Sequence, residues 1–93
     1  MDHKDAAAIG RIIARHLQQR RQEKGCSIRK MERKTGLDRR YLSRIETGEV
    51  NPTVIQALRI ADALGITFGG LASRAQKEWM AQKGLHKDRK SVV

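Results

Sequence analysis

The amino-acid sequence predicts an all-α fold: five helices around one small core. Three observations carry this. Apolar residues recur at three- and four-residue spacing along the chain, from Ile9, Ile12, Ile13 and Leu17 to Leu71, Ala75 and Trp79, which is helical periodicity. Gly25, Gly36, Gly48 and Gly65 punctuate that pattern, at positions where a left-handed residue can stop a helix. No alternating stretch is long enough to form a strand. Ninety-three residues suit one domain with a modest core.

The first helix carries Ile9, Ile12, Ile13, His16 and Leu17 on one face, with Arg11, Arg15, Gln18, Gln19 and Arg20 largely on the others, an amphipathic surface helix. Its end is expected near Lys24, before Gly25. Met1 to Ala8 is polar and small and is expected to be frayed at its start. His16 lies on the apolar stripe as a half-buried edge residue, since His3 and His86 stand too far away along the chain to share a metal with it.

Two short helices follow, over 27–35 and 38–47. Ile28 and Met31 mark the first, and Leu37, Tyr41, Leu42 and Ile45 mark the second. Ser27 and Asp38 have the short side-chain oxygens of N-caps. Gly36 lets the chain turn sharply between them. A helix, a Gly-containing turn and a second helix form a helix-turn-helix arrangement. The polar side of the second helix holds Arg39, Arg40 and Arg44.

Thr47-Gly48 ends that helix, and Pro52 holds the residues around it out of helix. Thr53 caps a fourth helix that reaches Gly65. Val54, Ile55, Leu58, Ile60, Ala61 and Leu64 make it apolar around most of its circumference, so it is expected to pack on more than one side. Thr67 caps a fifth helix running to Gln82 and stopping at Gly84. Gly69 and Gly70 weaken its first turn, by roughly 1 kcal/mol each relative to Ala. The expected organisation is a helix-turn-helix domain over 1–83 and a basic, disordered tail over 84–93.

Charge narrows the function. Twenty Lys and Arg against ten Asp and Glu leave +10, which favours polyanions, nucleic acid before membranes. Residues 52–70 contain only Arg59 and Asp62 as charges, so the basic excess flanks them. Tyr41, Phe68 and Trp79 are the only aromatics, too few for the stacking platforms of RNA or single-strand binders. Cys26 is alone, so neither an intramolecular disulfide nor a multi-cysteine metal site is available. No membrane span or secretory segment is expected, and the expected location is cytoplasmic. No paired-carboxylate, nucleophile–base, phosphate-loop or metal constellation suggests an enzyme or a cofactor.

The segments G-C-S at 25–27, G-L-D-R-R-Y-L-S-R-I-E-T-G-E-V-N-P at 36–52 and L-R-I-A-D-A-L-G-I-T at 58–67 resemble the Cro/C1 (XRE-type) helix-turn-helix family of phage, plasmid and restriction–modification regulators. The likeness runs from Ile9 to Ala72. It implies a five-helix, lambda-repressor-like domain, most often a repressor. It also implies a homodimer on a near-palindromic double-stranded operator, with helix 38–47 in the major groove. Base contacts then fall to Arg39, Arg40 and Arg44, with Tyr41 and Ser43 alongside on bases or backbone. The chemistry fits, because a guanidinium fork matches guanine O6 and N7, at about 1–3 kcal/mol of discrimination per pair. At least one G·C pair per half-site is expected under Arg39 or Arg40; the competing role for these arginines is phosphate contact alone.

Phosphate contacts are expected from Ser27, Arg29, Lys30, Asn51 and Thr53, at helix ends and loops. The resemblance also pairs Arg21 with Glu46 as a structural link. Leu71, Ala75 and Trp79 are candidates for the dimer surface, against packing on the first helix. Two residues depart from the family: Ile28 stands where glutamine is usual, and Glu32 where a small residue is usual. Glu32 is expected to point outward or to pair with Arg33, Arg40 or Arg44. The alternative function is the antitoxin of a toxin–antitoxin pair, whose protein partner would dock on Trp79, Met80, Leu85, Val92 and Val93.

Overall fold

The computed structural model describes residues 1–84. It contains five helices: α1 (His3–Glu23), α2 (Ile28–Thr35), α3 (Arg39–Thr47), α4 (Val54–Ala63) and α5 (Phe68–Lys83). Helix α1 packs along α5 and against α3, α2 against α3 and α4, and α4 against α5. The tail expected over 84–93 falls, from residue 85 onward, outside the described residues; Gly84 is the left-handed cap of α5.

The start of α1 corrects the expectation of fraying. Asp2 accepts a hydrogen bond from the Asp5 backbone N–H at 2.9 Å, and Asp5 accepts one from the Asp2 N–H at 3.4 Å. Two orphan donors are thereby satisfied reciprocally, and the alanines that follow are strong helix formers. The helix gains two turns over what its apolar residues alone suggest.

The turn between α2 and α3 is held from three sides. Gly36 adopts φ 74°, and its N–H bonds the Glu32 carbonyl at 2.8 Å. Buried Thr35 donates its hydroxyl to the Met31 carbonyl at 2.7 Å and accepts the Leu37 N–H at 3.2 Å. Arg59 from α4 donates to the Thr35 carbonyl. A helix C-terminus thus receives a cation and a donor together.

The main core joins Leu17, Cys26, Met31, Leu42, Ile45, Ile60, Leu64 and Leu71. Full burial of each large aliphatic here contributes roughly 1.5–3 kcal/mol. A smaller cluster of Ile9, Ile12, Ala75 and Trp79 seals α1 to α5. The Trp79 indole N–H is buried without an acceptor among the described residues, a cost of about 1–3 kcal/mol. The large apolar area of the ring offsets it.

Packing selects one of two alternatives for α5 and corrects the expectation for α4. Leu71, Ala75 and Trp79 are 0, 0 and 8% exposed, covered by their own chain, so the α5 stripe offers no surface to a second copy. Helix α4 packs on one side only. Ala57, Ile60, Ala61 and Leu64 are buried, whereas Val54, Ile55 and Leu58 face outward at 66, 70 and 49% exposure. Apolar composition announced a buried helix; the fold supplies neighbours for one face.

Candidate nucleic-acid interface

The interface is built from the two caps of the motif. Ser27 Oγ accepts the Lys30 N–H at 3.0 Å, and an Asp38 carboxylate oxygen accepts the Arg40 N–H at 2.9 Å. Each cap fixes where its helix begins and therefore which side chains leave its N-terminal end. From α3, Arg39, Arg40, Ser43 and Arg44 emerge exposed and, with Ile28 of α2, line one shallow concave surface. Three guanidinium groups and a hydroxyl on one face, beside an apolar patch, suit a polyanion with flat, edge-on donors and acceptors.

The structure separates Tyr41 from that group. Its ring is half-buried against the core and its hydroxyl donates to Gln56 of α4. Gln56 also accepts the Thr53 backbone N–H at 3.0 Å while Thr53 accepts the Gln56 N–H at 3.1 Å. Tyr41 therefore ties α3 to the start of α4, a role that periodicity alone did not reveal. Ser27, Arg29, Lys30, Asn51 and Thr53 are all exposed. Ser27 and Thr53 spend a lone pair on their caps at the N-termini of α2 and α4, a setting favourable to anions.

Glu32 does not pair with Arg33, Arg40 or Arg44. Its carboxylate lies 3.5 Å from Arg39 Nε and accepts the Arg39 backbone N–H at 3.3 Å. Glu32 is half-buried at the α2–α3 crossing, and the tight turn brings the start of α3 back over it. A carboxylate thus stands beside the first arginine of α3.

Behind the interface, Arg21 Nε and Nη2 donate to the two Glu46 carboxylate oxygens at 2.7 and 3.0 Å, and Nη1 donates to the Cys26 carbonyl at 2.8 Å. Only 14% of the Arg21 side chain and 11% of the Glu46 side chain are exposed. The Glu46 hydrogen bond raises the Arg21 pKa above its already high ordinary value, against the opposing effect of burial. This fork joins α1, the start of α2 and the end of α3.

A second polar cluster joins α1 to α5. On the far side of α1, His16 Nε2 meets Glu78 at 2.9 Å, and Arg15 pairs with the same carboxylate. The hydrogen bonds from His16 first, and from Arg15 second, hold the Glu78 carboxyl below the usual carboxylate range. His16 and Glu78 lie sixty-two residues apart, so no local spacing signals the link.

The family match spans the core of this scaffold, from within α1 to the start of α5. A helix-turn-helix family model matches residues 17–71. The chain belongs to the Cro/C1 (XRE-type) helix-turn-helix family. The chain is similar to the uncharacterized HTH-type transcriptional regulator y4dJ of Sinorhizobium fredii, 35% identical over 57 residues, which cover 61% of this chain and 74% of that one. It is 32% identical over 68 residues to the HTH-type transcriptional regulator SutR of Escherichia coli, across 73% of this chain but 38% of SutR. The crystal structure of the clp gene regulator ClgR from Corynebacterium glutamicum superposes with TM-score 0.72 at 20% identity, over 90% of this chain and 88% of that one; that likeness bears on the fold.

As a helix-turn-helix transcriptional regulator, the chain binds DNA. Among the described residues no three His, Cys, Asp or Glu side chains gather as a metal site requires, and no single helix is long and apolar enough to cross a membrane. Of the residues offered for a toxin partner, Trp79 is buried and Met80 half-buried, while Leu85, Val92 and Val93 lie outside the described residues.

Proposed function

We propose that the chain is a sequence-specific repressor that binds a near-palindromic operator as a homodimer, with α3 in the major groove. The observation that carries this is the shared exposed surface of Arg39, Arg40, Ser43 and Arg44 at and beyond the capped N-terminus of α3. The N-terminal residues of a recognition helix are those that meet base edges. Arg39 and Arg40 read guanine in each half-site. Arg44 and Ser43 lie one turn further along and reach the flanking base pair or its phosphate. Ser27, Arg29, Lys30, Asn51 and Thr53 grip phosphates and set the register. Tyr41 acts through Gln56, holding α3 at its angle to α4.

Two copies with α3 helices about 34 Å apart read half-sites one turn of duplex apart. Repression follows from occupancy of a promoter that overlaps such a site. The test is selection from a random duplex library at near-physiological salt. A palindromic motif containing G·C pairs, lost on Arg40→Ala, is the expected result. A pool without a motif, bound only at low salt, overturns the assignment.

A further inference from the structure

Helix α4 presents an unpartnered aliphatic face. Val54, Ile55 and Leu58, at 66, 70 and 49% exposure, adjoin one another on the helix surface. Exposed aliphatics are ordinarily scattered; a contiguous patch marks an interaction site. Beside this ridge lies a cleft of about 260 Å³ between the start of α1, α4 and the start of α5. Ala6, Ala7 and Gly10 form its α1 wall, and Val54, Ala57 and Phe68 form much of the rest. The α1 wall recedes because its residues are small. Val54 belongs to both the ridge and the hollow.

Charge identifies the occupant. Residues 50–58 contain no charged side chain, in a chain carrying +10. The cleft adds only His3 among titratable groups. An acidic partner would be drawn to the arginines instead, whereas two copies of so basic a chain repel each other at every cationic surface. They can meet closely only where both are neutral. An aliphatic ridge next to an apolar hollow is also the pairing that a two-fold axis makes self-complementary, each ridge seated in the other copy's hollow.

We propose that this α4 face is the contact between two copies of the chain, with Ile55 and Leu58 as its anchors. The proposal rests on the DNA-binding homodimer described above and assigns its surface. It also links that surface to the operator. Asn51 and Thr53 lead directly into the ridge, and the Tyr41–Gln56 bond joins the start of α4 to α3. The copy-to-copy contact therefore sets the separation of the two recognition helices.

The experiment is sedimentation equilibrium of the full chain, free and on a duplex carrying two selected half-sites, with binding to a single half-site followed in parallel. Ile55→Asp places a carboxylate in the first turn of α4, where the helix dipole favours it, and Leu58→Glu provides a second variant. The wild type is expected to be dimeric. Each variant should self-associate at least about a hundredfold more weakly, because an unpaired charge would be buried between the copies. Helix content by circular dichroism and single half-site affinity should remain unchanged. Variants that dimerise as tightly as the wild type overturn the proposal. So does a wild type that is monomeric both free and on the duplex, the result expected if another protein or residues 85–93 cover this face. Loss of the DNA reading is a separate result: a wild type that dimerises through Ile55 and Leu58 yet selects no sequence.

Discussion

Arg21 of α1 grips both carboxylate oxygens of Glu46 in α3 while its third nitrogen holds the Cys26 carbonyl, with both side chains nearly enclosed. Helix α3 is thus fastened at its far end to α1, the longest helix among the described residues, and its N-terminal arginines extend outward from that fixed point. Removing one partner strands the other charge in a low-dielectric site. Arg21→Met or Glu46→Leu is expected to destabilise the chain by about 3 kcal/mol. The double variant Arg21→Met/Glu46→Leu should cost less than either single change, since no charge is left behind. Urea unfolding of the four proteins measures this; equal, additive losses would show that the fork contributes no coupling. The Glu46 hydrogen bond raises the Arg21 pKa further above its already high ordinary value, so the guanidinium side of the pair stays charged.

Arg39 and Arg40 stand side by side but in different electrostatic settings. Glu32 approaches Arg39 at 3.5 Å, while no acidic partner is within ion-pair distance of Arg40 among the described residues. Arg40→Ala should therefore lose about 1–3 kcal/mol on the selected operator and relax preference at one base position. Lys30→Ala should weaken every duplex alike and lower the salt slope by about 1. Glu32→Gln removes a negative charge from the DNA face and frees Arg39 to bind any phosphate. Scrambled-duplex affinity should rise roughly two- to fivefold, with a smaller gain on the operator. Titrations of both duplexes at several salt concentrations separate these outcomes; an unchanged affinity ratio would place Glu32 outside the recognition step.

Much of this arrangement is legible in the sequence because it is local. Ser27, Asp38, Thr53 and Thr67 each precede a helix as an N-cap, and Gly36 and Gly48 end helices in the left-handed region. Such signals act within a few residues and need no tertiary knowledge. The failures share the opposite property. Helix α4 is apolar on several sides, and periodicity cannot tell which side lacks a neighbour, so the exposure of Ile55 and Leu58 is not legible in the sequence. Trp79 was equally suited to a partner or to α1, and only packing decides. Sequence offers Glu32 the neighbours Arg33, Arg40 and Arg44, and it is the turn after Gly36 that brings the start of α3, with Arg39, to its carboxylate. Asp2 and Asp5 were readable, an acidic capping pair three residues apart, but the absence of apolar periodicity before Ile9 hid the helix they start.

Glu78 gives the fold a pH dependence of defined sign. Its carboxyl titrates below the ordinary value of 4.5 because His16 and Arg15 bond the ionised form. A group whose folded pKa is depressed contributes stability above its unfolded pKa and loses it as pH falls through the folded value. Wild-type stability should therefore decline below about pH 4.5 more steeply than that of Glu78→Gln, and the two curves should run parallel at neutral pH. Thermal unfolding from pH 3 to 7 reads the difference. Curves parallel throughout would mean that the α1–α5 link is not made by the carboxylate.

The paired glycines opening α5 differ in what they accommodate. A Cβ at Gly70 would come within 2.8 Å of Thr67 Oγ1, the atom that caps the helix by accepting the Gly70 N–H at 3.1 Å. A Cβ at Gly69 meets nothing within 4 Å, and its φ is not in the left-handed region. Gly69 therefore costs backbone entropy without a compensating contact, whereas Gly70 keeps the cap in place. Gly69→Ala is expected to stabilise the chain by about 0.5 kcal/mol. Gly70→Ala is expected to destabilise it by about 1 kcal/mol, the usual worth of a lost N-cap. Midpoints of urea unfolding for the two variants should move in opposite directions, and a common shift would mean that the Thr67 cap does not govern this turn.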